Sequence, residues 1–226
     1  MSKNNNFAKF KESTPGTAVI LGVITLVVGF VLAAFNSLTA PEIEKRLRDE
    51  KEDSIIGFFG EGIEYEYIDF DFAEPAVDAV AVYVKNASSK KLAGYCVTVA
   101  PRGFAEDIVM LVAINTNITV RGVKILEMSE TAGIGTKIES ESWFIDQFKF
   151  KSKNITVASP SGGAANAIDT VSGATKSSKA FLAGVNAALE SAYEIRNQSA
   201  EAPKTTEENK EIEETEETET EEIFDE

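Results

Sequence analysis

The hydrophobic pattern along the chain changes character three times. From Thr17 to Phe35 (TAVILGVITLVVGFVLAAF) 19 residues pass without a charge. At 1.5 Å per residue such a helix covers about 28 Å, close to the roughly 30 Å hydrocarbon core of a bilayer. The apolar region of a secretory signal is only about 7–15 residues long, so the stretch reads as a retained single-pass anchor. Small residues at Ala33-Ala34 and Thr39-Ala40 leave cleavage as the other reading. Pro41 then opens the charged stretch PEIEKRLRDEKED, with Ile43 and Leu47 four apart. That spacing predicts a separate helix leading away from the membrane surface.

β-rich runs follow over Glu64–Phe72, Val77–Lys85, Leu92–Ala100, Ile108–Asn115 and Ile118–Leu126, dominated by valine, isoleucine, tyrosine and phenylalanine. Asn86-Ala-Ser-Ser, Pro101-Arg-Gly and Asn115-Thr-Asn punctuate them, and such short connections predict an antiparallel sheet. The pattern then turns helical. Ser142–Phe148 is a short segment with Trp143, Phe144 and Phe148 on or near one face. Thr175–Ile195 is long and carries Phe181, Val185, Ala188 and Leu189 at helical spacing. Strands first and helices later predict an α+β domain.

Composition narrows the chemistry. The 226 residues include no histidine and a single cysteine, Cys96. Ser-His-Asp and Cys-His centres, imidazole zinc sites and His-ligated haem are therefore excluded. One chain also cannot hold an iron–sulfur cluster or an internal disulfide, and Cys96, inside a β-rich run, reads as a small buried hydrophobe. If the protein handles electrons, an organic cofactor carries them. The net charge is −15, of which −11 falls in residues 200–226, with 13 acidic residues and 2 lysines. That tail lacks the apolar content to offset chain-ordering entropy and is expected to be disordered. The acidic balance argues against nucleic acid as a partner. Lys3, Lys9 and Lys11 precede the span and Lys45, Arg46, Arg48 and Lys51 follow it, so charge gives little guidance on sidedness.

The candidate chemistry lies at Asp169-Thr-Val-Ser-Gly-Ala-Thr-Lys-Ser-Ser178. Ser172, Gly173 and Ala174 are small, and a hydroxyl residue then opens the long helix. The first turn of a helix presents unpaired N–H groups and the positive end of its dipole, which suits an anion. A phosphate held there would have Thr175 and Ser177 as hydroxyl partners; ordinary N-capping is the competing reading. The segment is not a P-loop, since Thr175 stands where that signature has the glycine before its lysine.

The pattern Asp169-x-x-Ser172-Gly173-Ala174-Thr175 resembles the covalent flavinylation motif of FMN-binding domains, D-x-x-S/T-G-A-S/T. In that family a flavin transferase takes FMN from FAD and joins its phosphate to the last hydroxyl, which Thr175 matches. An unassisted threonine is a weak nucleophile, and the chain has no histidine to activate it, so external activation is consistent with what is missing. A second segment, Ser129-Glu-Thr-Ala-Gly-Ile-Gly-Thr-Lys-Ile138 followed by Trp143-Phe144, resembles a stretch of one subset of the family. That subset comprises the G subunit of the Rnf electron-transport complex and the C subunit of the sodium-translocating NADH:quinone oxidoreductase. Ala132 replaces the family's usual proline in the glycine loop.

The resemblance implies one membrane span (17–36) after a cytoplasmic stub (1–16), and an FMN-binding domain (41–199) on the extracytoplasmic side of the inner membrane. It implies covalent FMN on Thr175, with Ser172, Gly173 and Ala174 around the phosphate. Glu130, Thr131 and Gly133 would offer hydrogen bonds to the ring or ribityl chain. Lys137 either favours the anionic reduced flavin or is a solvated loop lysine, and Trp143 either packs on the isoalloxazine or belongs to the core. Asp169 would serve the transferase during attachment. The implied partners are the other subunits of an Rnf-type complex, the flavin transferase and the membrane. The implied function is electron relay within an ion-translocating ferredoxin:NAD⁺ oxidoreductase, with no catalytic residue or metal of its own. The alternatives are a component of the NADH:quinone complex and a cofactor-free anchored binding module.

Overall fold

The computed structural model describes residues 14–86, 89–158 and 166–201. The chain divides into two compact units, Met1–Asp53 and Ser54–Glu226. Helix α1 (Thr14–Phe59) supplies the described part of the first unit, and its last residues open the second. It contains one stretch long and apolar enough to cross a membrane, with most of the large apolar side chains from Val19 to Leu38 exposed. Instead of starting a new helix, Pro41 lies inside α1. Proline deletes one backbone donor there, but the run behind it, rich in Glu, Lys, Arg and Leu, is made of strong helix formers and carries the helix onward.

The second unit is built on five antiparallel strands in sequence order: β1 (Ile63–Tyr67), β2 (Ala76–Asn86), β3 (Ser89–Val99), β4 (Ile108–Asn115) and β5 (Val120–Met128). Two short helices follow, α2 (Lys137–Ser140) and α3 (Ser142–Asp146). A two-residue parallel pair, β6 (Thr156–Val157) with β7 (Ala167–Ile168), precedes the long α4 (Thr175–Glu201). The α+β reading, an antiparallel sheet with helices, is borne out. Ala200 and Glu201, expected in the disordered tail, belong to α4, and the rest of the acidic tail lies outside the described residues.

Both faces of the sheet are covered, which is why β4 (IVMLVAIN) reads as an almost continuous apolar run rather than an alternation. Met110, Val112 and Ile114 share one core with Phe181, Val185 and Leu189 of α4. Leu111 and Ala113 share the other with Ile55, Val80, Val82 and Cys96, closed by Phe58 and Phe59 from the end of α1. Glycines make room for those two rings. A Cβ at Gly94 would stand 2.9 Å from the Phe59 ring, and one at Gly122 would collide with Phe58. Arg121 fixes the same corner. Its Nε donates to the Phe58 carbonyl at 2.6 Å and its Nη1 to Asn115 Oδ1 at 3.2 Å, so a cation meets the negative end of α1.

Three sequence expectations shift. The run expected from Ile118 becomes strand only at Val120, because Ile118 takes a positive φ of 57° in the turn closed by Asn115 and Thr119. The run expected to reach Phe72 leaves the sheet after Tyr67, and Phe70 and Phe72 pack on the core instead. Trp143 is not core: it is 44% exposed, with Nε1 donating to Glu141 Oε2 at 3.2 Å. Successive residues of a helix point about 100° apart. Phe144 therefore takes the inward position, where it meets Phe148 and Phe181 with ring centroids 5.5 and 5.3 Å away.

Candidate functional site

The site is assembled where α4 begins. Ala174 N donates to the Val171 carbonyl at 3.0 Å, closing a four-residue turn with Gly173 at its third position and φ +83°. Position three of such a turn needs a left-handed backbone, which glycine supplies without strain. The Ala174 carbonyl accepts the first helical bond, from Ser178 N at 2.8 Å. Ala174 thus occupies the N-cap position and brings no side-chain acceptor to it. The N–H groups of the first turn are left for another partner.

The hydroxyls of this segment sort into two classes. Ser178, fully buried, accepts from Val171 N at 3.1 Å. Ser177, 2% exposed, donates to Glu130 Oε2 at 2.8 Å, so its proton is committed to the protein rather than to a phosphate. Ser172 and Thr175 are exposed, and none of the described residues engages the Thr175 hydroxyl. Asp169 is also exposed, its backbone clasped by the Gln147 side-chain amide at 2.8 and 3.1 Å.

Glu130 is the hub. Its Oε1 accepts from Phe104 N at 2.6 Å and Ala105 N at 3.2 Å, while Oε2 takes Ser177. Both carboxylate oxygens are spent on protein donors, so Glu130 shapes the site from beneath. Gly135 lets it fit, since a Cβ there would lie 2.5 Å from Oε2. The glycine loop folds around the Thr131 carbonyl, which accepts from Ile134 N at 3.1 Å and Gly135 N at 2.9 Å. Gly133 N donates to Thr136 Oγ1 at 2.9 Å.

These parts enclose a hollow of about 200 Å³, lined by Glu130, Thr131, Gly135, Gly173, Ala174 and Ser177, with Phe104, Ile134 and Lys176 completing the wall. Thr131, Gly173, Ala174 and Glu130 are therefore brought together. Gly133, Lys137, Ser172 and Thr175 do not line it; Ser172 and Thr175 flank the lining residues Gly173 and Ala174, and Lys137 is half-buried at the start of α2. Sequence reasoning missed Phe104 and Lys176. The Lys176 ammonium lies 5.0 Å from the centre of the Phe104 ring. The available signals were an aromatic directly after the Pro101-Arg-Gly turn and a cation in the first turn of a helix.

The donor set fits a flavin phosphate: first-turn N–H groups, a hydroxyl with no partner among the described residues, and a turn of small residues where a Cβ on Gly173 would meet open space. Comparison with known proteins agrees. Residues 103–190 match the family model of the FMN-binding domain. The G subunit of an ion-translocating oxidoreductase complex from Pasteurella multocida is 27% identical over 199 residues, spanning 80% of this chain and 94% of that protein. The G subunit of the Na⁺-translocating ferredoxin:NAD⁺ oxidoreductase complex of Acetobacterium woodii is 27% identical over 185 residues, 76% of this chain and 88% of that one. The crystal structure of Shewanella oneidensis NqrC aligns with a TM-score of 0.47 at 19% identity, over 63% of this chain and 87% of that one. The resemblance to the Rnf G subunit drawn from the glycine loop and the threonine motif is borne out.

Proposed function

We propose that this chain is the membrane-anchored flavoprotein subunit of an Rnf-type ion-translocating ferredoxin:NAD⁺ oxidoreductase, and that its FMN is joined by a phosphoester to Thr175. The observation that carries the attachment point is the sorting of hydroxyls around Gly173: Ser177 and Ser178 are turned inward and engaged, whereas Ser172 and Thr175 are exposed, with no hydroxyl partner among the described residues, and of these two Thr175 holds the acceptor place of the motif. The FMN-binding match over residues 103–190 and the relatives named as G subunits support the cofactor and the complex.

In this reading the residues divide the work. The first-turn N–H groups of α4 and the Val171–Ala174 turn hold the phosphate, with Ser172 beside it. Thr131 and the loop around it border the ribityl chain. Glu130 keeps the loop and the helix start in register. FMN supplies the electron chemistry, and the protein supplies position and electrostatics. The chain is one part of an oxidoreductase that moves ions and has no turnover alone. A flavin transferase completes it, with Asp169 exposed for that enzyme. α1 crosses the membrane once, and the domain lies on the extracytoplasmic side, where a covalent link prevents loss of dissociated flavin.

The test is intact mass of the full chain co-expressed with a flavin transferase, beside Thr175→Ala. A gain of one FMN less one water in the parent, absent in the variant, is the expected result. A parent of unmodified mass with an active transferase present overturns the attachment.

A further inference from the structure

Phe104 is 60% exposed and Ile134 52% exposed at the rim of the hollow, although neither contributes to a core. Large apolar side chains left in water beside a concave site with a few convergent polar groups are the signature of a ligand face. Phe104 is also held in place. Its own N–H donates to Glu130 Oε1, and the other oxygen of that carboxylate holds Ser177, the residue after Lys176. One buried carboxylate therefore ties the backbone of Phe104 to the side chain next to Lys176, and the Phe104–Lys176 pair lies 5.0 Å apart. Lys176 is exposed and forms no salt bridge with a carboxylate among the described residues. A lysine reaching over an aromatic ring instead of a carboxylate is a charge available to a ligand.

We propose that Phe104 and Lys176 form the ring-binding edge of the site, Phe104 giving the isoalloxazine an apolar face and Lys176 the positive charge that favours its reduced form. The inference rests on the FMN reading above. Uptake of two electrons and one proton by the oxidised ring leaves it with one more negative charge. A nearby ammonium stabilises that charge and moves the equilibrium toward reduction. Lys176, rather than Lys137, has the position for this, because Lys137 does not border the hollow.

The experiment uses the full chain, flavinylated by the transferase and FAD, in four forms: parent, Lys176→Gln, Phe104→Ala and Lys137→Gln. All three substituted side chains are exposed or half-buried, so folding is retained. Mass reports loading, titration with dithionite against a reference dye reports the equilibrium, and fluorescence anisotropy reports mobility of the tethered ring. Lys176→Gln should shift the oxidised-to-reduced equilibrium about tenfold toward oxidised, which is about 30 mV for a two-electron couple. Lys137→Gln should leave it unchanged, and Phe104→Ala should lower the anisotropy. An unchanged equilibrium in Lys176→Gln overturns the charge assignment, and so does a larger shift in Lys137→Gln. Reduced loading without a shift in equilibrium places Lys176 on the phosphate and overturns its ring role. Unchanged anisotropy in Phe104→Ala removes the apolar face. A parent that gains no mass fails the FMN reading itself, an outcome distinct from all of these.

Discussion

Ser177 Oγ donates to Glu130 Oε2 at 2.8 Å across 47 positions of sequence, and this bond ties the start of α4 to the loop after β5. The partners are 2% and 8% exposed, so the contact is dry and charge-assisted. Both partners line the hollow, as does Phe104, whose N–H shares the carboxylate.

Replacing Glu130 by Ala removes acceptors from three donors at once. Leaving buried donors unpaired costs about 1–3 kcal/mol each, with partial relief from water at the exposed turn. A net loss of about 2–4 kcal/mol is expected. Chemical denaturation of the full chain in detergent measures it. Stability equal to the parent would show that the staple carries nothing.

The proposed attachment to Thr175 predicts discrimination among hydroxyls. Thr175→Ser keeps a fluorescent band on a denaturing gel, and Thr175→Ala loses it. Ser172→Ala and Ser178→Ala retain it, since neither supplies the acceptor. Fluorescence surviving in Thr175→Ala would move the phosphoester elsewhere.

Gly173→Ala puts a side chain on a residue with φ +83°. The left-handed conformation costs a non-glycine residue about 1–2 kcal/mol, although the space around the new Cβ is open. The loss of stability is expected to stay within that amount, with slower flavin attachment because Thr175 lies two residues on. Attachment at the parent rate would separate the turn's geometry from the transferase's requirement.

Alkaline stability tests a position far from the site. Burial first, then Tyr83, push the Tyr95 hydroxyl above its ordinary value of 10.0, partly opposed by Arg196. The unfolded chain therefore releases this proton at lower pH than the folded one. Burial of the neutral phenol costs nothing extra below about pH 10, and the stability is lost as pH rises from there through the folded value. Tyr95→Phe should flatten the fall in denaturation midpoint above about pH 10. Parallel curves for the two proteins would contradict the shift.

The sheet was legible because its strands are rich in β-branched residues and separated by turn residues. α4 was legible because Phe181, Val185, Ala188 and Leu189 keep helical spacing. Pro41 misled because a local rule about proline was outweighed by the helix-forming run behind it. Trp143 misled because composition cannot say which of two adjacent aromatics faces inward. In the site, Thr175 and the small residues before it were visible as a local motif. The Glu130 hub was not, since its partners sit 25, 26 and 47 positions away and only the folded sheet brings them near. Phe104 and Lys176 were missed for the same reason: each is ordinary in its own segment, and their meaning comes from facing each other.

The strand order of the sheet sets a schedule for synthesis. Each strand pairs with the one made just before it, so loop closure is short and the sheet can form as the chain emerges. The helix that covers the Met110, Val112 and Ile114 face is made only after the glycine loop and the short helices are complete. Until α4 arrives, that face is bare to water and open to misassociation, the hazard of any half-covered sheet. The segment that carries the proposed flavin acceptor is thus also the one whose docking ends the nascent chain's exposure.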